Sequence, residues 1–389
     1  MSPYASVVMV CVLSVACFTL QAEEAKGEDA APIRVGTFNQ ETARSFGLSD
    51  GLTGMDVFDI AISENDGVSR VYAGTDKGIF LFSGSRWEVL QGAEGKAVKL
   101  VATDDGEKVC WVVDGVFREI GSVSSRGINI PEGVEPTCLA IGGAEIYLGT
   151  RQGLFRLAGD IFVPVEEVNG LLGDDKSITG VAFGPRIAVA ATGGLLEQGD
   201  GGWRLLYPRM EARSWAPHDV RGVAYDVQGR LWFAEPQGVG CRDAQGNWSL
   251  FTSEDGVPVT SFTDMAAAGD GGLWFGTEVG AVTFRQGLLI GDHWGYRQGE
   301  RWLPNDKVRA LAAARNGDVW FATAGGVSVI SMKPMTLKEK AAFYEEEIDK
   351  YHRRTEYGYV LEVGLKNPGD KSECVQSDSD NDGLWTSMY

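Results

Sequence analysis

The carboxylates best spaced to gather a metal ion lie near the end of the chain, where Asp378, Asp380, Asp382 and Gly383 take positions 1, 3, 5 and 6 of a calcium loop. Acidic side chains two residues apart converge on one hard cation because such a loop winds around it, and the glycine permits its sharp turn. Position 12, where a bidentate Glu belongs, holds Tyr389. Two readings stand, calcium held by Asp378, Asp380 and Asp382, and an acidic turn facing water.

A second constellation is spread along the chain. The segments DVFDIAI (56–62), SITGVAF (177–183), DVRGVAY (219–225) and KVRALAA (307–313) share one register. Side by side they bring Asp56, Ser177, Asp219 and Lys307 to one level, and Phe58, Thr179, Arg221 and Arg309 to the next. Trp215, His218 and Asn305 fall close by. Carboxylates, guanidiniums and hydroxyls on one rim can hydrogen-bond a polar ligand, and an indole can stack on a sugar ring. Each residue also has a plainer use, as a turn former or as half of an ion pair between neighbouring units.

Catalytic signals are sparse. Three histidines, His218, His293 and His352, are too scattered for a His-rich metal site or an H-E-x-x-H helix. The one G-x-S-x-G match, Gly47 to Gly51, falls in a Ser-Asp-Gly turn stretch between repeats rather than on a strand-to-helix elbow, and Leu90 stands where a phosphate loop ending in Gly95-Lys96 needs its first glycine. Acidic pairs are frequent in a chain with 54 acidic and 35 basic side chains, and read as solvated faces. A net charge of −19 without a basic run excludes tracking along a phosphate backbone. We expect no catalytic residue and no nucleic-acid partner.

The elements that position the second constellation are repeats. VYAGTDKG (71–78), IYLGTRQG (146–153), LWFAEPQG (231–238), LWFGTEVG (273–280) and VWFATAGG (319–326) recur. With two weaker copies they set anchors at Val71, Val109, Ile146, Ile187, Leu231, Leu273 and Val319, spaced 37 to 46 residues apart. Units of that length with several short strands are propeller blades, four-stranded sheets that bury both faces only against neighbours. The expected fold is all-β, a seven-bladed β-propeller over 33–332. Aromatics at consecutive positions, Trp274 and Phe275, suit a strand covered on both faces. A return strand follows each anchor, and then an aromatic outer strand at SRWEVL (85–90), GWRLLY (202–207), NWSLFT (247–252) and ERWLPN (300–305). The seventh unit lacks this outer strand. IRVGTFNQ (33–40) and FGLSDGL (46–52) match WSLFTSEDGV (248–257), so the start of the chain is expected to supply it and close the ring.

The pattern Gly-x-Leu-Trp-x-Gly-Thr-x-x-Gly, with Phe-Thr-x-x-Asp-Gly-Val-Pro nearby, resembles the two-component regulator propeller repeat, most specifically over 231–330. That resemblance implies a periplasmic or secreted propeller whose channel-mouth loops bind a ligand, often glycan-derived, without chemistry. It would take a small molecule or oligosaccharide, or a protein. No kinase segment accompanies the repeats here, so the chain is not by itself a sensor kinase. The alternatives are a carbohydrate-active enzyme, lyase-like or hydrolase-like, with an accessory propeller, and a structural docking scaffold.

The first 22 residues carry no charge and run apolar from Ala5 to Leu20 before Glu23-Glu24, as a secretory signal does, although MSPY lacks its usual basic residue. Export is expected, with an uncleaved anchor or lipid attachment at Cys17 as alternatives. Beyond residue 30 nothing reaches the roughly 18 apolar residues of a membrane span. Cys110, Cys138, Cys241 and Cys374 have no metal spacing and read mainly as small buried hydrophobes, with a Cys110–Cys138 bridge open. From 335 to 389 we expect a short α/β extension. It opens with a helix capped by Thr336 and Glu339 that carries Leu337, Ala341, Tyr344, Ile348 and Tyr351 on one stripe. YGYVLEVGL (357–365) reads as a strand, and the closing LWTSMY reads as an acidic loop's apolar sequel or the opening of a further domain.

Overall fold

The computed structural model describes residues 36–388, apart from 66, 105–107, 122–124, 286–293, 353–357, 367–372 and 378. The expected signal segment, His293, Asp378 and Tyr389 lie outside the described residues.

Seven four-stranded antiparallel sheets form the propeller. Their inner strands are Val57–Asn65, Leu100–Thr103, Pro136–Gly142, Ile178–Phe183, Gly222–Tyr225, Phe262–Ala267 and Val308–Ala313, in blades 1 to 7. Each touches the next around the ring, and the seventh touches the first. All seven anchors lie on the second strand of a blade. Trp274 packs edge-on to Phe321 of blade 7, while Phe275 faces Phe262 and Trp294, so consecutive aromatics serve opposite faces.

The ring closes as the repeats imply. Phe38–Phe46 is the outer strand of blade 7, pairing antiparallel with Gly326–Met335 from Phe38↔Met335 to Phe46↔Val327. The matching segments that follow outer strands also match in structure. Leu48–Asp50 and Ser253–Asp255 are single 3-10 turns, each closed by its third residue's carboxylate on a preceding amide, Asp50 on Gly47 N and Asp255 on Thr252 N. Phe46 then seats at the seam, stacked 5.4 Å from Trp320 and 5.0 Å from Phe82.

One expected outer strand is corrected. In blade 6 that strand is Trp294–Arg297, and ERWLPN instead forms turns. Pro304 and Asn305 favour a turn, and Trp302 sits between the Arg297 and Arg301 guanidiniums, 5.0 and 4.8 Å from its ring.

A further device was not read from the sequence. The Thr of Gly-Thr-x-x-Gly locks the turn between second and third strands. Thr75, Thr150, Thr277 and Thr323 each donate to the carbonyl three residues on, at 2.7–3.0 Å, and accept the amide two residues on. The glycine is obligatory: at Gly78 φ is +135° and a Cβ would lie 2.7 Å from the Ala93 carbonyl oxygen.

Cys110, Cys138 and Cys241 form no disulfide among the described residues, so the open Cys110–Cys138 bridge is not made; Cys110 and Cys241 are buried, Cys138 and Cys374 partly so. After Met335 comes the expected helix, Leu337–Tyr351, with the Thr336–Glu339 capping box. Its stripe is only partly covered, since Leu337 stays 53% exposed, and the helix meets blade 7 near the end of Gly326–Met335, with Lys340 5.0 Å from the Phe38 ring. A hairpin, Glu362–Leu365 with Cys374–Ser377, and a helix, Asp382–Met388, follow. Among the described residues no helix is long and apolar enough to cross a membrane.

Candidate functional site at the channel mouth

Inner strands begin at the mouth of the central channel and run away from it. Five of them break register near their start, skipping Phe58, Thr137, Thr179, Thr263 and Arg309. Such a bulge re-aims a side chain. Here it turns these residues into the channel, where Lys99 and Arg221 supply the corresponding positions of blades 2 and 5. The result is one ring of seven side chains, one per blade.

The ring also ties blades together. Thr137 donates to Ile178 O at 2.6 Å, Thr179 to Val220 O at 2.5 Å, Thr263 to Val308 O at 2.9 Å, and Arg309 to Val57 O at 3.5 Å, each reaching the next blade. One step deeper, Asp59 accepts the Val101 amide and Asp264 the Leu311 amide, at 2.8 and 2.9 Å, again across a blade boundary. Burial in the channel wall pushes Asp59 up to about 7, with the Asp264 charge adding to the effect and the Val101 and Ile60 amides opposing it. Burial likewise pushes Asp264 up to about 6 against the Leu311 and Met265 amides. Cys138, on the same wall, is raised to about 12 by burial and stays a thiol.

Two connected spaces result. A cavity of ≈ 430 Å³ occupies the channel. Above it a cavity of ≈ 680 Å³ opens at the mouth against blades 3 to 6, walled by Thr137, Arg151, Ser177, Thr179, Arg221 and Glu278. Thr137, Thr179, Arg221 and Thr263 line both.

The sequence-expected residues divide. Ser177, Thr179 and Arg221 line the mouth cavity, and Phe58 and Arg309 line the channel. Asp56 is 2.7 Å from Arg309, and Lys307 is 2.7 Å from Glu278, so both act as partners of lining residues. Asp219, at φ +53°, holds Arg221 at 2.7 Å and faces a smaller cavity of ≈ 360 Å³ beside Val259, which is 93% exposed. His218 reaches Asp175 at 2.9 Å. Asn305 closes a turn by accepting the Lys307 amide at 2.9 Å. Trp215 is buried edge-on to Phe233, at the wall of a separate cleft of ≈ 490 Å³, so its indole is packing rather than a platform at the mouth. Lys99, Thr137, Thr263, Asp59 and Asp264 were missed. Aligning PTCLAI and FTDMAA on the same register would have found Thr137 and Thr263, whereas blade 2 carries no matching motif.

At the C-terminal loop Asp382 turns both carboxylate oxygens to Ser379, 2.7 Å from its amide and 2.8 Å from its hydroxyl, as a helix cap. A calcium ion there would have to draw Asp382 away from that cap. Among the described residues no three acidic, His or Cys side chains are grouped to hold a metal ion.

No family model and no curated protein matches the sequence. Solved structures do match in fold. The extracellular domain of the putative hybrid two-component system BT3049 from B. thetaiotaomicron aligns with a TM-score of 0.59 at 13% identity, over 87% of this chain and 46% of that one. The corresponding domain of BT4673 from the same organism gives 0.57 at 16%, over 75% and 40%. A streptogramin B lyase gives 0.57 at 12%, over 76% and 98%. The chain thus spans less than half of the two sensor chains. At these identities the shared property is the propeller itself.

Proposed function

We propose that this chain is an exported, sensor-type binding module whose ligand docks in the channel mouth, without catalysis of its own. The observation that carries this reading is the ≈ 680 Å³ mouth cavity, whose wall combines two guanidiniums, a carboxylate and threonine hydroxyls above a polar channel. Few convergent polar groups on a rigid rim are how a protein orients a polar ligand. Arg221 borders the mouth, the channel and the side cavity at Asp219, so it is placed to contact the ligand from any approach. A saccharide bearing an acidic group fits this wall best, the guanidinium taking the acid and the threonines the hydroxyls. Export is supported by the apolar first 22 residues and by the extracellular origin of the two sensor neighbours.

A catalytic reading has one foothold, since Asp59 at about 7 lies where a general base is poised near neutrality. Both its oxygens already accept amides, from Ile60 and Val101, which favours a structural duty. The test is calorimetric titration of the intact chain with neutral and uronate-containing oligosaccharides. Saturable binding, weakened at least tenfold by Arg221→Ala, is expected. Turnover of the saccharide, or binding indifferent to Arg221→Ala, would overturn the proposal.

A further inference from the structure

The strands alternate in direction, so loops joining first to second and third to fourth strands lie on the face opposite the mouth. On that face a groove of ≈ 340 Å³ separates blades 4 and 5. Three guanidiniums reach it from three separate segments: Arg186 from the loop after the blade 4 inner strand, Arg204 from its outer strand Gly202–Leu205, and Arg242 from the third strand of blade 5, Gly238–Arg242. All three surround one carboxylate, that of Glu197, whose side chain is 1% exposed.

One carboxylate is not enough for three cations. Arg204 bonds Glu197 at 3.0 Å and Arg242 bonds its other oxygen. Tyr225 donates its hydroxyl to that same oxygen at 3.4 Å. Burial alone would raise the Glu197 carboxyl, but the hydrogen bonds from Arg242 and Arg204 outweigh it and hold it below the ordinary range. Glu197 is therefore an anion with a hydrogen bond on each oxygen. Arg186 approaches it only to 3.7 Å, too far for a hydrogen bond, and makes none to any described residue. Its side chain is 40% exposed at the groove wall. The remaining acid in the wall, Asp243, is occupied by its own loop, accepting the Gln245 and Asn247 amides at 3.0 and 2.8 Å and the Asn247 side chain at 2.9 Å. Backbone makes room for the arrangement, since a Cβ on Gly199 would lie 2.9 Å from the Arg186 guanidinium.

The third guanidinium helps Glu197 only through its charge, without a hydrogen bond, and is repelled by the other two. In a chain of net charge −19, a pocket with a surplus of cationic donors is a local reversal of sign. Each guanidinium offers five N–H donors in a planar fork, and among the described residues only Arg204 and Arg242 place one on a protein acceptor, in both cases Glu197. We propose that this groove is a second binding site, independent of the channel mouth, for an oxyanion group of the sulfate, phosphate or carboxylate type, with Arg186 and Arg204 as its contacts and Arg242 held by Glu197 as their brace.

The test uses the intact chain with inorganic sulfate, inorganic phosphate and glucuronate, each titrated at fixed ionic strength against chloride and read by calorimetry. Arg186→Gln removes no hydrogen bond to Glu197, so it should fold as the parent does. Saturable binding of at least one probe is expected, lowered at least fivefold by Arg186→Gln and by Arg204→Gln and unchanged by Arg221→Gln at the mouth. Preference for sulfate and phosphate over glucuronate would identify a tetrahedral group, and the reverse a carboxylate; either supports the site. Binding insensitive to Arg186→Gln, or lost only with Arg221→Gln, would overturn it, as would chloride competing equally with every probe.

Discussion

The Arg309 guanidinium lies 2.7 Å from the Asp56 carboxylate and 4.8 Å from the Phe58 ring, joining the last blade to the first beside the channel mouth. Arg309 also donates to Val57 O, so one side chain fastens the ring where the chain is not continuous between those inner strands. The pair is partly exposed, 23% and 41%, which places its direct contribution at about 1 kcal/mol or less.

Arg309→Ala should therefore cost about 1 kcal/mol in urea denaturation, while Arg309→Lys, which keeps the charge and loses the planar fork, should fall between. A loss above about 3 kcal/mol would mean that the seam depends on this contact more than on its aromatic core.

That core is the stronger fastening. Phe46 is 3% exposed among Trp320, Phe82 and Trp87, and it sits on the one strand that comes from the far end of the chain. Phe46→Ala should cost about 3–5 kcal/mol. Hydrogen exchange should show amides of Phe38–Phe46 and its partner Gly326–Met335 losing protection first. Leu48→Ala, two residues on but 67% exposed, should change stability by less than about 0.5 kcal/mol. Equal effects from both would contradict a seam held by Phe46.

The closing strand was legible because Phe-Gly-Leu-Ser-Asp-Gly-Leu repeats Phe-Thr-Ser-Glu-Asp-Gly-Val, and both segments use the third residue's carboxylate to close a 3-10 turn. The blades were legible because a strand covered on both faces must be apolar at consecutive positions. The helix Glu166–Leu172 was not: it is seven residues long, begins at Val165 without a capping side chain, and exists because Asn169 bonds both backbone groups of Leu154 while Val168 and Leu172 are buried. Local sequence carries no signal for a helix made by tertiary contacts. The channel ring was half legible, since Phe58, Thr179, Arg221 and Arg309 share a motif that Lys99 lacks. Trp215 was misjudged because nearness in sequence to His218 says nothing about which face an indole takes.

Glu235 occupies the position where other blades have the turn-locking Thr75, Thr150, Thr277 or Thr323. It is 2% exposed; one oxygen accepts the His218 amide at 2.9 Å and the other has no hydrogen-bond partner among the described residues. Burial pushes its carboxyl up to about 7 from the usual 4.5, opposed by the His218 amide. Between those values the folded chain keeps a proton that the unfolded chain has lost. Stability is therefore full below the lower value and falls as pH rises through the upper one. Glu235→Gln should raise stability at pH 8 by about 2 kcal/mol and leave it nearly unchanged at pH 4.5, by guanidinium unfolding at both. An equal gain at both pH values would show that proton linkage is not the cause.

Asp59 and Asp264 give the channel a charge that depends on pH in the same direction. With values of about 7 and about 6, both are ionised at pH 8 and both are protonated at pH 5, beneath the Arg221, Arg309 and Lys99 side chains. An acidic saccharide in the channel mouth would meet repulsion from below at pH 8 and none at pH 5. Its affinity should rise severalfold as pH falls between these limits, whereas a neutral saccharide of the same length should bind equally at both. Asp264→Asn should remove part of the pH dependence, although it keeps one oxygen for the Met265 and Leu311 amides that Asp264 now accepts on two, so it should also cost about 1–3 kcal/mol of stability. Calorimetry at the two pH values on parent and variant separates these effects. A pH-independent affinity for the acidic saccharide in the parent would mean that its charge is seated away from the channel axis, near Arg151 and Glu278 at the outer wall.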